Sequence, residues 1–334
     1  MSDKSDIIME IQNLEQYFPV NKKGKDGEPL FVKAVDNVTL KIRRGEVLGL
    51  VGESGSGKST IAYSVVGMYR PTDGKILFEG QDLNASKKRS LQMKKDIQIV
   101  FQDPGSSMNP HQTIKEILEL PLKIHHMCNS KEEREKKIKE LLEMVELPVN
   151  YMYKTPGAIG GGERQMVAIA RALACEPKFL ILDEPTSALD VSIQAKIINM
   201  LLRIQKERNL TYLFITHDLS LMRNIATRVA ILYLGKIAEI APAEEFFYRP
   251  EHPYTQMLIS SIPVVSEEEE QLKPKKVEST GEIPSPVNIP PGCSFHLRCP
   301  YQMDICKAED PVMIKLDAKH RVRCHLCDPK YKTE

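Results

Sequence analysis

Three stretches of the chain carry residue types and spacings that could do chemistry. In the first, "GLVGESGSGKST", Gly52, Gly57, Lys58 and Ser59 fall in the pattern G-x-x-x-x-G-K-S. An apolar run, Val47 to Val51, precedes it, and the helical stretch "STIAYSVVGMYR" overlaps its end. In a strand–loop–helix setting, glycines let backbone N–H groups turn inward and cradle a β-phosphate, and the helix N-terminus adds its positive dipole end. On this reading Gly52, Glu53, Ser54, Gly55, Ser56 and Gly57 form the phosphate loop. Lys58 reaches the β- and γ-phosphates, and the Ser59 hydroxyl, with Thr60 beside it, ligates Mg²⁺.

The second stretch is "FLILDE", four apolar residues ending in Asp183 and Glu184. A buried strand that ends in two acids delivers them to the sheet edge where open α/β folds bind ligands. Asp183 suits holding Mg²⁺ through water, and Glu184 suits polarising an attacking water. His217 follows the next apolar strand in "LFITHDL", which also brings it to a strand end, close to where a γ-phosphate would lie. Gln102 closes "IQIVFQDP" just before the strand-breaking Pro104. A glutamine there can reach water or Mg²⁺ and sense the segment that follows.

The third is a cysteine cluster. Five of the seven cysteines lie between Cys293 and Cys327. Cys293, Cys299, Cys306 and Cys324 are spaced C-x5-C-x6-C-x17-C, with His296, His320, His325 and Cys327 as nearby bystanders. In a reducing compartment such crowding points to metal before disulfides. Four thiolates can hold a [4Fe–4S] cluster or a Zn²⁺ ion, and free thiols are the remaining alternative. These spacings are longer than the two to four residues usual for zinc.

The elements that must position these groups form an α/β pattern. Up to about Pro104 the chain is strand-rich, as in "FVKAVDNVTLKIRRGEVLGLVG" and "DGKILFEGQDL". Between Gly105 and Tyr153, "TIKEILELPLKIHHM" and "SKEEREKKIKELLEMVEL" have apolar residues at helical spacing, which predicts a helical insert. Apolar strands return at Phe179–Pro185 and Thr211–Thr216 with a helix between them, arguing a parallel sheet covered on both faces. After Ala241 the pattern weakens, and "SEEEEQLKPKKVESTGEIPSP" reads as a charged, proline-rich tether. The expected division is 1–104 for the N-terminal part of the core and 105–162 for the helical insert. The rest of the core follows at 163–250, and 251–334 is a cysteine-bearing extension.

Charge excludes one class of partner. Forty-six basic residues against 45 acidic ones leave a net charge of +1, so bulk electrostatics give no reason to expect nucleic acid. The start, "MSDKSDIIMEIQNLEQ", lacks the apolar centre of a signal peptide, and no run approaches the roughly 18 apolar residues of a membrane span. The expected location is the cytosol, on a membrane partner.

Taken in order, "GESGSGKST", "VFQDP", "GGERQMVAIARAL", "LDEPTSALD" and "ITHD" resemble the ATP-binding subunit of an ABC transporter over about residues 7 to 260. The resemblance implies a P-loop ATPase core with an antiparallel β subdomain and a helical insert. It implies Glu184 as catalytic base, His217 as switch histidine, Gln102 as coupling glutamine and Asp190 as the D-loop acid. It also implies two such subunits closing head-to-tail around two ATP molecules, and an aromatic side chain on the adenine. Phe18 in "LEQYFPV" matches best, with Tyr17 as the alternative.

"RPEHPYTQMLISSIP" and "GEIPSPVNIPPGCSFHLRCPYQMDIC" are similar to the tail of oligopeptide and dipeptide importer ATPases, more like the second ATPase of the pair. That implies a non-identical ATPase partner, two membrane permease subunits, an extracytoplasmic peptide-binding protein, a place on the cytoplasmic face of the membrane, and a [4Fe–4S] cluster on the cysteines. A nickel or other small-solute importer, and a soluble ABC ATPase outside transport, are the alternatives. The helix before the acids begins in this family with a signature close to Leu-Ser-Gly-Gly-Gln. Here those positions read Ile159, Gly160, Gly161, Gly162 and Glu163. The serine donor to a partner's γ-phosphate is gone, and an acid stands where a glutamine is usual. The expectation is a weakened helix start, with a negative charge near that phosphate unless Glu163 points away.

Overall fold

The computed structural model describes residues 6–23, 27–86, 88–262, 277 and 281–331. Of the predicted tether, 266–286, residues 266–276 and 278–280 lie outside the described residues. The chain divides into two compact units. One comprises Met1–Ile8, Arg43–Glu46 and Leu83–Ile215; the other comprises Met9–Ile42, Val47–Asp82 and Thr216–Glu334.

The first unit is built on three parallel strands, Ile97–Val100, Phe179–Asp183 and Thr211–Thr216, with Ile97 opposite Phe179 and Phe179 opposite Thr211. Every residue of the last two strands is buried, as a parallel sheet covered on both faces requires. The two helices expected in the insert are Ile114–Ile124 and Lys131–Met144. Thr113 and Glu116 form a complete capping box at the first, and Ser130 caps the second. Their apolar faces, Ile114, Ile117, Leu118 and Leu122 on one and Ile138, Leu141 and Leu142 on the other, are buried, each side chain contributing about 1.5–3 kcal/mol. Lys115–Glu135 (2.6 Å) and Arg134–Glu119 (2.9 Å) join the two helices at their rim. The insert is therefore continuous with the strands that carry Gln102 and Asp183 rather than a unit of its own.

The second unit holds a four-stranded antiparallel sheet in the order Pro29–Arg43, Ile7–Lys23, Asp73–Phe78, Gln81–Asp82. It also holds the phosphate-loop strand Val47–Val51, parallel to Arg228–Tyr233, which pairs antiparallel with Lys236–Pro242. The C-terminal extension continues this layer. Arg321–Val322 pairs with Lys236–Pro242, Glu239 opposite Val322, and forms a hairpin with Ile314–Lys315. Where the sequence pattern fades after Ala241, two helices stand, Ala243–Tyr248 and Pro253–Ser260. At six and eight residues they are shorter than the roughly 11-residue window in which helical periodicity can be read. Among the described residues no helix is long and apolar enough to cross a membrane.

Candidate nucleotide site

The phosphate loop joins the fully buried strand Val47–Val51 to the helix Lys58–Val66. Gly57 is the N-cap of that helix at φ 107°, and a Cβ there would meet the Ala34 carbonyl oxygen at 2.1 Å, so only glycine fits. Lys58, 5 % exposed, donates to the carbonyls of Gly52 (2.8 Å) and Glu53 (3.0 Å). Its ammonium group is thus held over its own loop. Ser59 and Thr60 follow in the first helical turn, and the Ser56 carbonyl accepts from Gly235 N–H at 2.9 Å.

Glu53 ties this loop to residues that sequence reasoning missed. Its N–H donates to the Tyr254 hydroxyl at 3.2 Å. Its carboxylate accepts both terminal nitrogens of Arg298, at 2.8 and 3.2 Å. Arg298 is buried, with its guanidinium 5.8 Å from the Tyr233 ring and 5.7 Å from the Phe295 ring. Tyr233, Tyr254 and Phe295 pack together with centroids 4.6–5.3 Å apart. His252 caps the helix of Tyr254, its Nδ1 accepting from Tyr254 N–H at 3.0 Å. Complete burial pushes His252 down to about 4. The signal was present as aromatic and basic residues in "EHPYTQM" and "CSFHLRC", but nothing local says which loop they face.

Of the two aromatic candidates, Tyr17 is engaged within the antiparallel sheet. Its hydroxyl donates to Asp36 at 2.8 Å, and burial together with that carboxylate raises its pKa. Phe18 is half-buried and meets Tyr69 edge-on at 5.1 Å; Tyr69 in turn meets Tyr63 of the phosphate-loop helix at 5.7 Å.

In the first unit, Asp183 is wholly buried at its strand end, and Glu184 follows in the left-handed region at φ 46°. A non-glycine residue held there is strained, a feature concentrated at functional sites. Glu184 Oε2 accepts from Gln102 Nε2 at 3.1 Å, so the fold brings together two predicted residues 82 positions apart. Asp190 caps the helix Val191–Arg208, and its bonds from the Ser192 hydroxyl and Ile193 N–H hold its carboxyl below the usual range. In the second unit, His217 is exposed, directly after the strand Thr211–Thr216.

Gly160 is the N-cap of the helix Gly161–Leu173 and offers no capping side chain. Glu163 supplies the bond instead. One carboxylate oxygen accepts Gly160 N–H at 2.8 Å and the other accepts the Tyr151 hydroxyl at 2.7 Å. These bonds, the Gly160 N–H first, hold its carboxyl below the usual range. The bond offsets part of the weakening expected at the helix start, and it engages the carboxylate, still charged, with its own helix cap. Gly162 has a packing reason, since a Cβ there would lie 2.4 Å from Ile193 Cγ2 on the neighbouring helix. The segment "GSSMN" is fastened to the same helix by Arg171, which donates to the Ser107 carbonyl and hydroxyl.

All seven cysteines are free thiols. Cys293 interacts electrostatically with Cys299 and Cys306, Cys324 with Cys293, and Cys324 lies against Cys327. Burial pushes the Cys293 thiol up to about 11 and raises Cys299 as well. Cys293, Cys299, Cys306 and Cys324 thus come together at one place, which is compatible with a group held by several thiolates. Among the described residues the one group of three His, Cys, Asp or Glu ligand atoms within 4.8 Å of one another contains no cysteine.

A glycine loop between a buried strand and a helix, with an acid pair ending a parallel strand, defines a P-loop ATPase. The ABC transporter family matches residues 35–187, and the C-terminal region of oligopeptide/dipeptide transporters matches residues 238–306. The oligopeptide transport ATP-binding protein AppF of Bacillus subtilis (strain 168) is 44 % identical over 326 residues, 96 % of this chain and 98 % of AppF. OppF of Salmonella typhimurium, also named an oligopeptide transport ATP-binding protein, is 41 % identical over 97 % of both chains. A solved dimeric structure of the ATP-binding cassette MJ0796, in a post-hydrolysis state with ADP and Pi, is similar with a TM-score of 0.62. It is 31 % identical and covers 71 % of this chain and 99 % of the cassette. The chain belongs to the ABC transporter ATPases, in the oligopeptide transport ATP-binding family. It is an ATP-hydrolysing enzyme.

Proposed function

We propose that this chain powers import of di- or oligopeptides through a membrane transporter, closing on a non-identical second ATPase when ATP binds and reopening after hydrolysis. The observation that carries the reading is similarity over nearly the whole length to oligopeptide transport ATPases, the extension at 238–306 included. Two permease subunits and an extracytoplasmic peptide-binding protein complete the assembly, with this chain on the cytoplasmic face.

In this mechanism the loop Gly52–Thr60 wraps the phosphates, Lys58 neutralises the β- and γ-phosphates, and Phe18 stacks on adenine. Ser59, Asp183 and Gln102 attend Mg²⁺. Glu184 takes a proton from the attacking water, and its bond from Gln102 supports a carboxylate held in one orientation. His217 contacts the γ-phosphate, while Gly160, Gly161, Gly162 and Asp190 meet the partner's nucleotide. Gln102 also relays nucleotide occupancy to "GSSMN" and so to the permease. A [4Fe–4S] cluster on Cys293, Cys299, Cys306 and Cys324, when bound, would supply the positive charge that thiolates need and a cross-link for the extension.

The test is anaerobic co-purification with the neighbouring subunits, reconstitution into vesicles, and measurement of labelled peptide and nickel uptake with ATP. Peptide uptake that needs ATP supports the reading. Nickel uptake without peptide uptake overturns the substrate, and ATPase activity with neither overturns the transport role.

A further inference from the structure

Beside the strand pairing that docks the extension lies a group of side chains that ATP chemistry does not use. Glu239, on the strand Lys236–Pro242, is wholly buried and accepts N–H from Glu251 and His252, both at 2.9 Å. Its Oε1 also stands 2.7 Å from Nε2 of His320, itself wholly buried. A carboxylate accepts, so His320 Nε2 carries the proton and donates. The other ring nitrogen, Nδ1, is buried and makes no hydrogen bond. It faces Oε2 of Glu245, also buried and without a hydrogen-bond partner, across 3.6 Å. A carboxylate oxygen of Asp317 completes the group, the three ligand atoms lying within 4.8 Å of one another.

We infer that His320, Glu245 and Asp317 form a binding site for a divalent transition-metal ion. The spacing favours a metal over a shared proton. At 3.6 Å, Nδ1 and Oε2 are too far apart for a hydrogen bond. Two ligand atoms each about 2.0–2.2 Å from a tetrahedral ion stand about 3.4 Å apart. The Glu239–His320 bond is the outer carboxylate that fixes the tautomer and ring orientation of a metal-binding histidine. One imidazole and two carboxylates suit Zn²⁺, Co²⁺ or Mn²⁺. Asp317 Oδ1 also accepts the N–H groups of Lys319 and His320, which holds the turn between the two hairpin strands. Glu245 and Asp317 are part-exposed, so an ion has a path from solvent. The competing cation is Arg249, exposed and 3.7 Å from Asp317 Oδ2. An ion here would clip the helix Ala243–Tyr248 to the extension's hairpin.

The test is titration of the full chain with Co²⁺, followed by visible absorption. A nitrogen–oxygen site gives weak visible bands without the intense near-ultraviolet thiolate-to-cobalt band, so the cysteines are read separately. The expected result is one equivalent with the nitrogen–oxygen signature, displaced by Zn²⁺. Glu245→Gln and Asp317→Asn, which keep shape and hydrogen-bond acceptors, should each weaken it at least tenfold and leave any thiolate band unchanged. Arg249→Ala should tighten it. No nitrogen–oxygen band in the unaltered chain, or equal affinity in both carboxylate variants, overturns the site.

Discussion

Among the described residues, two helices start at glycines, and they are supported in opposite ways. The phosphate-loop helix starts at Gly57 with Lys58 bonded to its own loop, and the loop is further held by Tyr254 and by Arg298, a residue 245 positions away. The helix after the triple glycine starts at Gly160, and its support is local: Glu163 three residues on and Tyr151 nine residues back. The first carries the usual loop sequence on long-range support; the second carries a departure from the family signature on short-range support. Damage to the extension should therefore reach the phosphate loop and spare the signature helix.

The largest effects should come from the chemistry itself. Glu184→Gln should lower steady-state phosphate release by about 10²–10⁴-fold, the usual worth of a general base, while ATP still binds. Lys58→Ala should lose both turnover and nucleotide affinity, read by equilibrium binding of labelled ATP. Unchanged turnover in Glu184→Gln would remove it from the catalytic role.

Next comes acid sensitivity of the long-range support. His252 takes its proton near pH 4 in the folded chain and near its ordinary 6.5 in the unfolded one. The unfolded state binds the proton first, so the contribution is complete above about pH 6.5 and declines as pH falls toward 4. Between pH 7 and pH 5 the fold should lose about 2 kcal/mol from this residue, measured by denaturant melts. His252→Asn keeps the helix-cap acceptor and should flatten the profile over that range. An equally steep profile in the variant would assign the loss elsewhere.

Arg298→Ala should follow. It strips Glu53 of a two-pronged partner that is itself buried, with Glu53 24 % exposed, for a cost of about 1–2 kcal/mol. The readouts are the KM for ATP and the melting temperature. Adding Glu53→Gln should recover part of the loss, because the two residues share one interaction. Full additivity would mean the extension holds the loop by packing alone.

What was legible in the sequence follows the same divide between local and long-range support. The phosphate loop, the acid pair and the insert helices could be read because strand, turn, cap and apolar period lie within a few residues of one another. The Gln102–Glu184 bond was half legible: both residues stood out as strand ends, but the pairing of their strands needs the sheet register. Arg298 could not be read, because no local pattern says that an arginine among cysteines will face a loop near the other end of the chain. The His320 group was hidden likewise, its ligands coming from a helix too short to show its period and a turn named only for its neighbouring cysteines. The role of Glu163 was missed for another reason. Comparison with the usual signature frames the acid as a lost glutamine, whereas the spacing from Gly160 is that of a helix-capping pair.

The smallest expected effect tests that last point. Gly160 sits at φ −70°, and a Cβ there would come no closer than 3.6 Å to Glu163 Oε2, so serine fits without strain. Gly160→Ser restores a hydroxyl for a partner's γ-phosphate but also offers a second cap, releasing Glu163 from part of its duty. Gly160→Ser with Glu163→Gln should raise ATPase of the assembled transporter a few-fold, a change of about 0.5–1 kcal/mol in barrier. Glu163→Gln alone keeps an acceptor for Gly160 N–H, can donate its amide N–H to the Tyr151 oxygen, and should leave turnover nearly unchanged. Glu163→Ala removes the cap and should cost about 0.5–2 kcal/mol of stability. The pH dependence distinguishes capping from charge. The Glu163 carboxyl is held below its ordinary pKa, so its contribution is present above that ordinary value and is lost as pH falls through the lowered one. Glu163→Gln should remove that acid limb. If instead Glu163→Gln alone raises turnover as much as the double change, the acid acts on the partner's nucleotide as a charge, and the local-support side of the comparison fails.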